Sequence, residues 1–240
     1  MNSKNKYMEE FIEVKKILDA SNVVFWLDAG TLLGVVRDGK IMPWDNDIDL
    51  STLYKNHRKI KSLIPKFKKE GFRIYQKKDH KGRLVTFKLT KWDDFSIDLK
   101  LFQVKGDKAW CILWYDSHED IFSTSFAKIG GNIRQFILNI YPKYTGSKLE
   151  KFLQTVFNSV YFGTSEPLKS DHMGKIALVV PMIYYKDFGT IEFNGATFRI
   201  PNKINKYLEL KYGKDWKTPK KEWVYWKQDG FCDPDWDINQ

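Results

Sequence analysis

Two aspartates alternate with two aliphatic residues in the stretch Asp47-Ile48-Asp49-Leu50. In an extended strand, residues two apart share a face. Asp47 and Asp49 therefore project together, and Ile48 and Leu50 face the opposite, apolar side. Asp45 lies two residues earlier, beside a turn, and can join them. Two carboxylates held side by side repel, by about 4 kcal/mol at ~4 Å and an effective dielectric of ~20. Either one stays protonated or a cation sits between them. A hard divalent ion with oxygen ligands resolves the repulsion, and Mg²⁺ is the usual occupant of carboxylate-plus-phosphate sites. The competing reading is a solvated acidic turn, but hydrophobic residues on both flanks argue against it. A helix-loop-helix calcium loop is excluded because no Gly and Glu follow at the required positions.

Asp98 supplies a third carboxylate. It sits between Ile97 and Leu99 in a second alternating stretch, with Phe95, Ile97, Leu99 and Leu101 on one face and Ser96, Asp98 and Lys100 on the other. Upstream, Gly30-Thr31 offers a small residue and a hydroxyl at a turn entering a helix, where backbone N–H groups can approach a phosphate. Arg37 and Lys40 lie between these elements and are of a kind that binds phosphate oxygens. Without further support they read equally well as exposed loop cations.

The elements that must position these groups follow from apolar spacing. Phe11, Val14 and Leu18, with Met8 and Ile17 beside them, predict an amphipathic helix over residues 7–20. Residues 23–27 form a short apolar run, and residues 32–37 a short helix. Residues 47–50, 72–76, 84–89 and 95–102 read as strands, and 109–114 as a further apolar stretch. Residues 55–69 are helical in pattern, although Pro65 argues against one continuous helix. Further on, residues 147–161 carry a helical stripe opened by a Ser147–Glu150 capping box. This stripe is read as core packing rather than membrane binding. Asn194-Gly195 between residues 190–193 and 196–200 signals a hairpin, and residues 203–210 a short helix ending near Gly213. The order of elements predicts an α+β fold with a mixed sheet flanked by helices, and with a helical and β-hairpin C-terminal elaboration. No repeat or linker divides the chain. It is read as one domain over residues 1–240, with a catalytic core over about 7–115 and the elaboration over about 116–240.

Bulk composition narrows the class. The chain has 240 residues, a formal charge of +10, 42% hydrophobic residues and nine tryptophans. A basic balance suits nucleic acid, an anionic membrane surface or a phosphorylated small substrate. Cys111 and Cys232 form no CxxC pair and cannot make a four-ligand zinc site unaided. A reducing compartment is therefore expected. No signal peptide and no apolar run of membrane-spanning length is visible, so a cytoplasmic protein, at most peripheral to the membrane, is expected. His57, His80 and His172 read as surface residues.

The residues around the aspartates resemble the LicD family, which includes fukutin and fukutin-related protein and belongs to the nucleotidyltransferase-fold superfamily. The resemblance runs through Leu27, Asp28, Gly30, Thr31, Leu32, Leu33, Gly34 and Arg37, then Pro43, Trp44, Asp45, Asp47, Ile48 and Asp49. A second patch comprises Phe193, Gly195, Phe198, Pro201, Tyr207, Leu208, Tyr212, Gly213, Trp216 and Pro219. Ala29 replaces the first Gly of the usual pair, and Asn46 stands where Asp is common. The cysteines of the zinc insertion in fukutin-related protein are missing.

The resemblance implies a nucleotidyltransferase-like fold and a transferase that moves a phosphorylated group, such as phosphocholine or ribitol phosphate. The donor would be CDP-linked and the acceptor a hydroxyl of a glycan or lipid-linked glycan. It implies Mg²⁺, with Mn²⁺ as the substitute, on Asp47, Asp49 and Asp98, the last completing the metal shell or taking the acceptor's proton. Asp28, Gly30, Thr31, Arg37, Lys40, Trp44 and Asp45 are the implied substrate-binding residues. The same carboxylates would serve a nucleotidylyltransferase that releases pyrophosphate. A basic nucleic-acid-binding module, suggested by interleaved Lys, Trp and Tyr over residues 203–227, is a reading of another class. The family-like pattern in that patch disfavours it.

Overall fold

The computed structural model describes residues 3–45, 47–92, 95–116, 173–220 and 223–239. The helix expected over residues 147–161 and His172 lie outside the described residues. The chain divides into two compact units, one formed by residues 1–113 and 176–240 and the other by residues 114–175. The functional side chains considered below all belong to the first.

That unit is built on a mixed sheet, and the α+β class expected from the sequence is what it adopts. The N-terminal elements are α1 (Ser3–Ala20), β1 (Phe25–Leu27), α2 (Ala29–Asp38) and β2 (Asp47–Leu53). A 3₁₀ turn, α3 (His57–Ser62) and α4 (Ile64–Lys69) lead to β3 (Arg73–Lys78), β4 (Leu84–Trp92), β5 (Phe95–Lys105) and β6 (Lys108–Asp116). The C-terminal part contributes β7 (Met173–Pro181), α5 (Ile183–Lys186), β8 (Gly189–Phe193), β9 (Ala196–Ile200), α6 (Ile204–Tyr212), α7 (Tyr225–Gln228) and β10 (Cys232–Asp233). The strand order is β1-β2-β5-β6-β7-β10, with β4 also pairing β5 and β3 pairing β4. β2 and β5 run parallel, whereas β1 is antiparallel to β2, and β4 to β5. β8 and β9 form a separate hairpin through Asn194-Gly195, both at positive φ, as a tight two-residue turn requires. The helix expected over residues 55–69 is broken at Leu63, and Pro65 sits in the first turn of α4, where its missing N–H costs no bond.

Alternation sorts the sheet into two layers. Directly paired residues share a face, so Ile48, Ile97, Leu89 and Ile74 form one apolar row, and Leu27, Leu50, Leu99 and Phe87 the next. The helix α1 covers this face: Tyr7 stacks on Phe95 with ring centroids 4.3 Å apart, and Phe11, Val14 and Leu18 are fully buried. The opposite face carries the polar rows described below. It is partly covered by the C-terminal segment, whose Tyr185 packs 4.4 Å from Trp26.

Two features hold the segment that leads into β2. Ala29 adopts φ +45°, a left-handed conformation that costs an L-residue roughly 1–2 kcal/mol. Gly30 and Gly34, one turn apart on α2, let the returning loop lie against the helix. A Cβ at Gly34 would stand 2.7 Å from the Lys40 carbonyl oxygen, and one at Gly30 would stand 2.9 Å from an Asp45 carboxylate oxygen. Backbone cannot yield as a side chain can. Gly34→Ala is therefore expected to lower stability by about 2–3 kcal/mol in urea denaturation. Ala29→Gly relieves the left-handed residue and is expected to raise stability by about 1 kcal/mol in the same measurement.

Candidate active site

β2 and β5 pair in parallel with Asp49 directly opposite Asp98, and Asp47 opposite Ser96. The three aspartates thus share one face of adjacent strands. Strand pairing carries the row outward: Lys88 of β4 lies opposite Asp98, and Tyr75 of β3 opposite Lys88. A second row one step along the strands contains Ser51, Lys100, Thr86 and Lys77. The sheet therefore presents carboxylates at its centre and lysines toward β3.

The first turn of α2 fixes Asp49 by both backbone groups. The Asp49 N–H donates to Thr31 Oγ1 at 2.9 Å, and the Asp28 N–H donates to the Asp49 carbonyl at 3.0 Å. Thr31 is buried, and its hydroxyl positions β2. Asp28 caps α2 and is 1% exposed. Its carboxylate accepts from the Ala29 N–H at 2.8 Å, Ser51 Oγ at 2.6 Å and the Tyr207 hydroxyl at 3.3 Å. Burial alone would raise the Asp28 pKa; Lys211, Lys100, Ser51 and the Ala29 N–H outweigh it and hold the carboxyl below its ordinary range. Asp28 is an internal anchor in this structure, not a surface contact for substrate.

The remaining expected residues separate into near and far. Asp45 is half-buried, its carboxylate against Gly30, on a turn closed by its N–H to Met42 carbonyl bond of 3.1 Å. Trp44 beside it is 55% exposed. Arg37 lies in the last turn of α2, about two helical turns beyond Gly30. Its guanidinium grips the adjacent Asp38 at 3.0 and 2.7 Å. Lys40 is exposed just past that helix end. The structure brings neither cation into contact with the aspartate row.

Sequence reading passed over the charges that do reach the aspartates. Lys100 Nζ lies 2.7 Å from Asp49 Oδ1, and Lys88 Nζ 3.7 Å from Asp98 Oδ1. Burial alone would lower the Lys100 pKa, but Asp49 and Asp28 hold its ammonium above the usual lysine range. Lys211, 3% exposed, pairs with Asp229 at 2.5 Å, and its charge also acts on Asp28. A signal for Lys100 was present, since it shares the polar face of β5 with Asp98. The burial of Lys211 had no such signal. Cys111 and Cys232 are free thiols, and burial pushes Cys111 up to about 12.

Negative charge exceeds its local compensation. Burial, then Asp49, Asp98 and Asp45, push the Asp47 carboxyl up to about 6 despite the opposing pull of Lys100. Burial and Asp49 push Asp45 up to about 6 as well. Asp98 Oδ1 is buried and accepts no hydrogen bond from the described residues. As they stand, no three His, Cys, Asp or Glu side chains among the described residues are arranged to hold a metal ion. The donor chemistry nevertheless suits a hard cation. Mg²⁺ commonly takes only one or two carboxylates and completes its shell with water and substrate phosphate, and Asp98 Oδ1 is an acceptor without a donor among the described residues.

The arrangement is a set of carboxylates in register on a parallel strand pair, clamped by the first turn of a short helix. A family model described as LicD/FKTN/FKRP, nucleotidyltransferase domain, matches residues 22–129. Over those residues the resemblance to the LicD family is confirmed. Human ribitol-5-phosphate transferase FKTN is 22% identical over 213 residues, covering 89% of this chain and 33% of that protein. Human ribitol 5-phosphate transferase FKRP is 53% identical over 34 residues, 14% of this chain and 7% of that protein. An uncharacterized Rickettsia typhi protein is 28% identical over 110 residues, 46% of this chain and 33% of that protein. The chain spans a third or less of the length of these relatives. Among solved structures, the lincomycin-bound lincosamide antibiotic adenylyltransferase LnuA is similar at a TM-score of 0.39 and 13% identity, covering 81% of this chain and 80% of that one. That likeness is too distant to carry an argument.

The raised Asp47 fixes the sign of a pH effect. Its folded pKa of about 6 exceeds the ordinary 3.8, so the folded state retains a proton that the unfolded chain has released. The stability this group contributes is full below about pH 4 and is lost as pH rises through about 6. Asp47→Asn is therefore expected to raise the Tm at pH 7 and to leave it nearly unchanged at pH 3.5, in thermal melts without added divalent cation.

Proposed function

We propose that this chain is a divalent-cation-dependent transferase of a phosphorus-containing group. It would move a unit such as ribitol phosphate or phosphocholine from a CDP-linked donor to a hydroxyl of a glycan or lipid-linked glycan. The observation that carries this reading is the register of Asp49 against Asp98, with Asp47 beside them. The similarity to FKTN and FKRP, named for ribitol-phosphate transfer, supports the class of transferred group. No helix among the described residues is long and apolar enough to cross a membrane.

Asp47 and Asp49 would hold the cation, Mg²⁺ or Mn²⁺, with Asp98 Oδ1 beside them as a further oxygen it could take, and the chemistry it would supply there is neutralisation of the donor diphosphate. The protein's own contribution is positioning and electrostatics. Thr31 and Asp28 lock Asp49 in place by its backbone. Trp44, exposed next to Asp45 in the chain, would stack on the donor's base. Asp98 either shares the cation or accepts the proton of the attacking hydroxyl.

The nucleotidylyl alternative uses the same carboxylates, and the product distinguishes the two. CMP release from a CDP-linked donor supports the phospho-group transferase; pyrophosphate release from a nucleoside triphosphate supports the other. The nucleic-acid module is disfavoured by the burial of Tyr207, Tyr212 and Trp216, although Trp223, Tyr225 and Trp226 are only half-buried. Asp47→Asn and Asp49→Asn are each expected to lower turnover by at least about a hundredfold while remaining folded. Full activity in either variant would refute the assignment. Asp98→Asn separates the two roles: lost Mn²⁺ binding marks a ligand, whereas retained binding with lost turnover marks the base.

A further inference from the structure

The two ammonium groups beside the aspartate row occupy the positions that a cation would neutralise. Lys100 Nζ is 2.7 Å from Asp49 Oδ1, and Lys88 Nζ is 3.7 Å from Asp98 Oδ1. Each therefore sits on an aspartate that the proposed function assigns to the cation. A bound divalent ion and these ammoniums cannot share the same oxygens without strong like-charge repulsion.

The pairs differ in how firmly they are held. Lys100 is hydrogen-bonded to Asp49 and its side chain is 19% exposed. Lys88 is 31% exposed and reaches Asp98 only as a loose ion pair. Lysine is a compact charge on a flexible four-carbon stem. Its head can pass from one acceptor to another a few ångströms away while its backbone stays in the sheet, where strands lie about 4.8 Å apart. Both stems rise from the face that carries the aspartates. Lys77, exposed on the edge strand β3, adds a third positive charge to the same face.

Building on the proposed function, we propose that Lys88 and Lys100 are exchangeable counter-ions. They neutralise Asp98 and Asp49 while no cation is bound, and they turn to the donor's phosphate oxygens when the aspartates take the cation. The exchange makes and breaks no covalent bond. It keeps the carboxylates apart and compensated in the resting protein. It also delivers two positive charges to the diphosphate at the moment the cation site fills, so that cation and donor bind cooperatively. Lys88 and Lys100 are thereby assigned as donor-binding residues for an anionic, diphosphate-bearing ligand.

Removing the lysines should move two affinities in opposite directions, which a merely structural role would not do. In titration calorimetry with Mn²⁺ alone, Lys88→Met and Lys100→Met are expected to bind the ion about three- to tenfold more tightly than the wild type. With CDP titrated in saturating Mg²⁺, the same variants are expected to bind about tenfold more weakly. Unchanged or weaker Mn²⁺ binding by the folded variants would overturn the exchange. Lys88 is the more exposed of the two, so Lys88→Met alone decides the matter if Lys100→Met does not fold. Wild-type Mn²⁺ binding without any shift in the variants defeats the exchange and leaves the proposed function standing. Absence of Mn²⁺ binding in every form, wild type included, defeats both.

Discussion

The parallel pairing of β2 with β5 is the constraint on which the rest of the site depends. Its register sets Asp49 against Asp98 while placing Ile48 against Ile97 and Leu50 against Leu99 on the other face. The apolar face secures the pairing, because a slip of one residue would send these side chains into the polar layer and the aspartates into the core. Hydrophobic burial thus forces like charges together that would otherwise separate. The surroundings then divide the resulting tension. Lys100 and Lys88 relieve part of it, and the remainder appears as the raised Asp47 and Asp45 carboxyls.

A second, internal set of charges supports the first. Asp28 lies beneath the aspartate row, held by the Ala29 N–H, Ser51 and Tyr207. Lys211 reaches it electrostatically while paired with Asp229. A buried ion pair is weak evidence of stability in itself, because desolvation offsets the attraction. Here its contribution is to keep Asp28 ionised in a dry setting. An ionised Asp28 keeps its bonds to the Ala29 N–H and Ser51, and its peptide holds the Asp49 carbonyl. The second family-like patch, which includes Tyr207, thereby connects to the first through one carboxylate.

Much of this was legible in the sequence, for identifiable reasons. Period-two alternation at residues 47–50 and 95–101 marked both faces of the central strands, and the helical spacing of Phe11, Val14 and Leu18 marked α1. Asn194-Gly195 marked the hairpin. Which strands lie side by side is a tertiary choice, so the opposition of Asp49 and Asp98 had to be seen. The bond from the Asp49 N–H to Thr31 was hidden for a related reason. A hydroxyl at a helix start can face a ligand or a neighbouring strand, and only the position of β2 decides between them. Lys211 was hidden because a buried lysine looks like any surface lysine until its partner Asp229 is placed beside it.

The bond from Tyr207 to Asp28 spans 179 residues of chain. During synthesis at about 5–20 residues per second, the Asp28 carboxylate waits roughly 10–40 s for that partner. Until then β1, α2 and β2 can pair, but an anchor that the finished protein seals from water stays hydrated. The N-terminal portion on its own would therefore be a loosened version of the site, with Asp49 tied to a helix whose cap is still wet. Completion of the aspartate site is thus a late, long-range event, of the kind that slows folding through the entropy of closing a large loop.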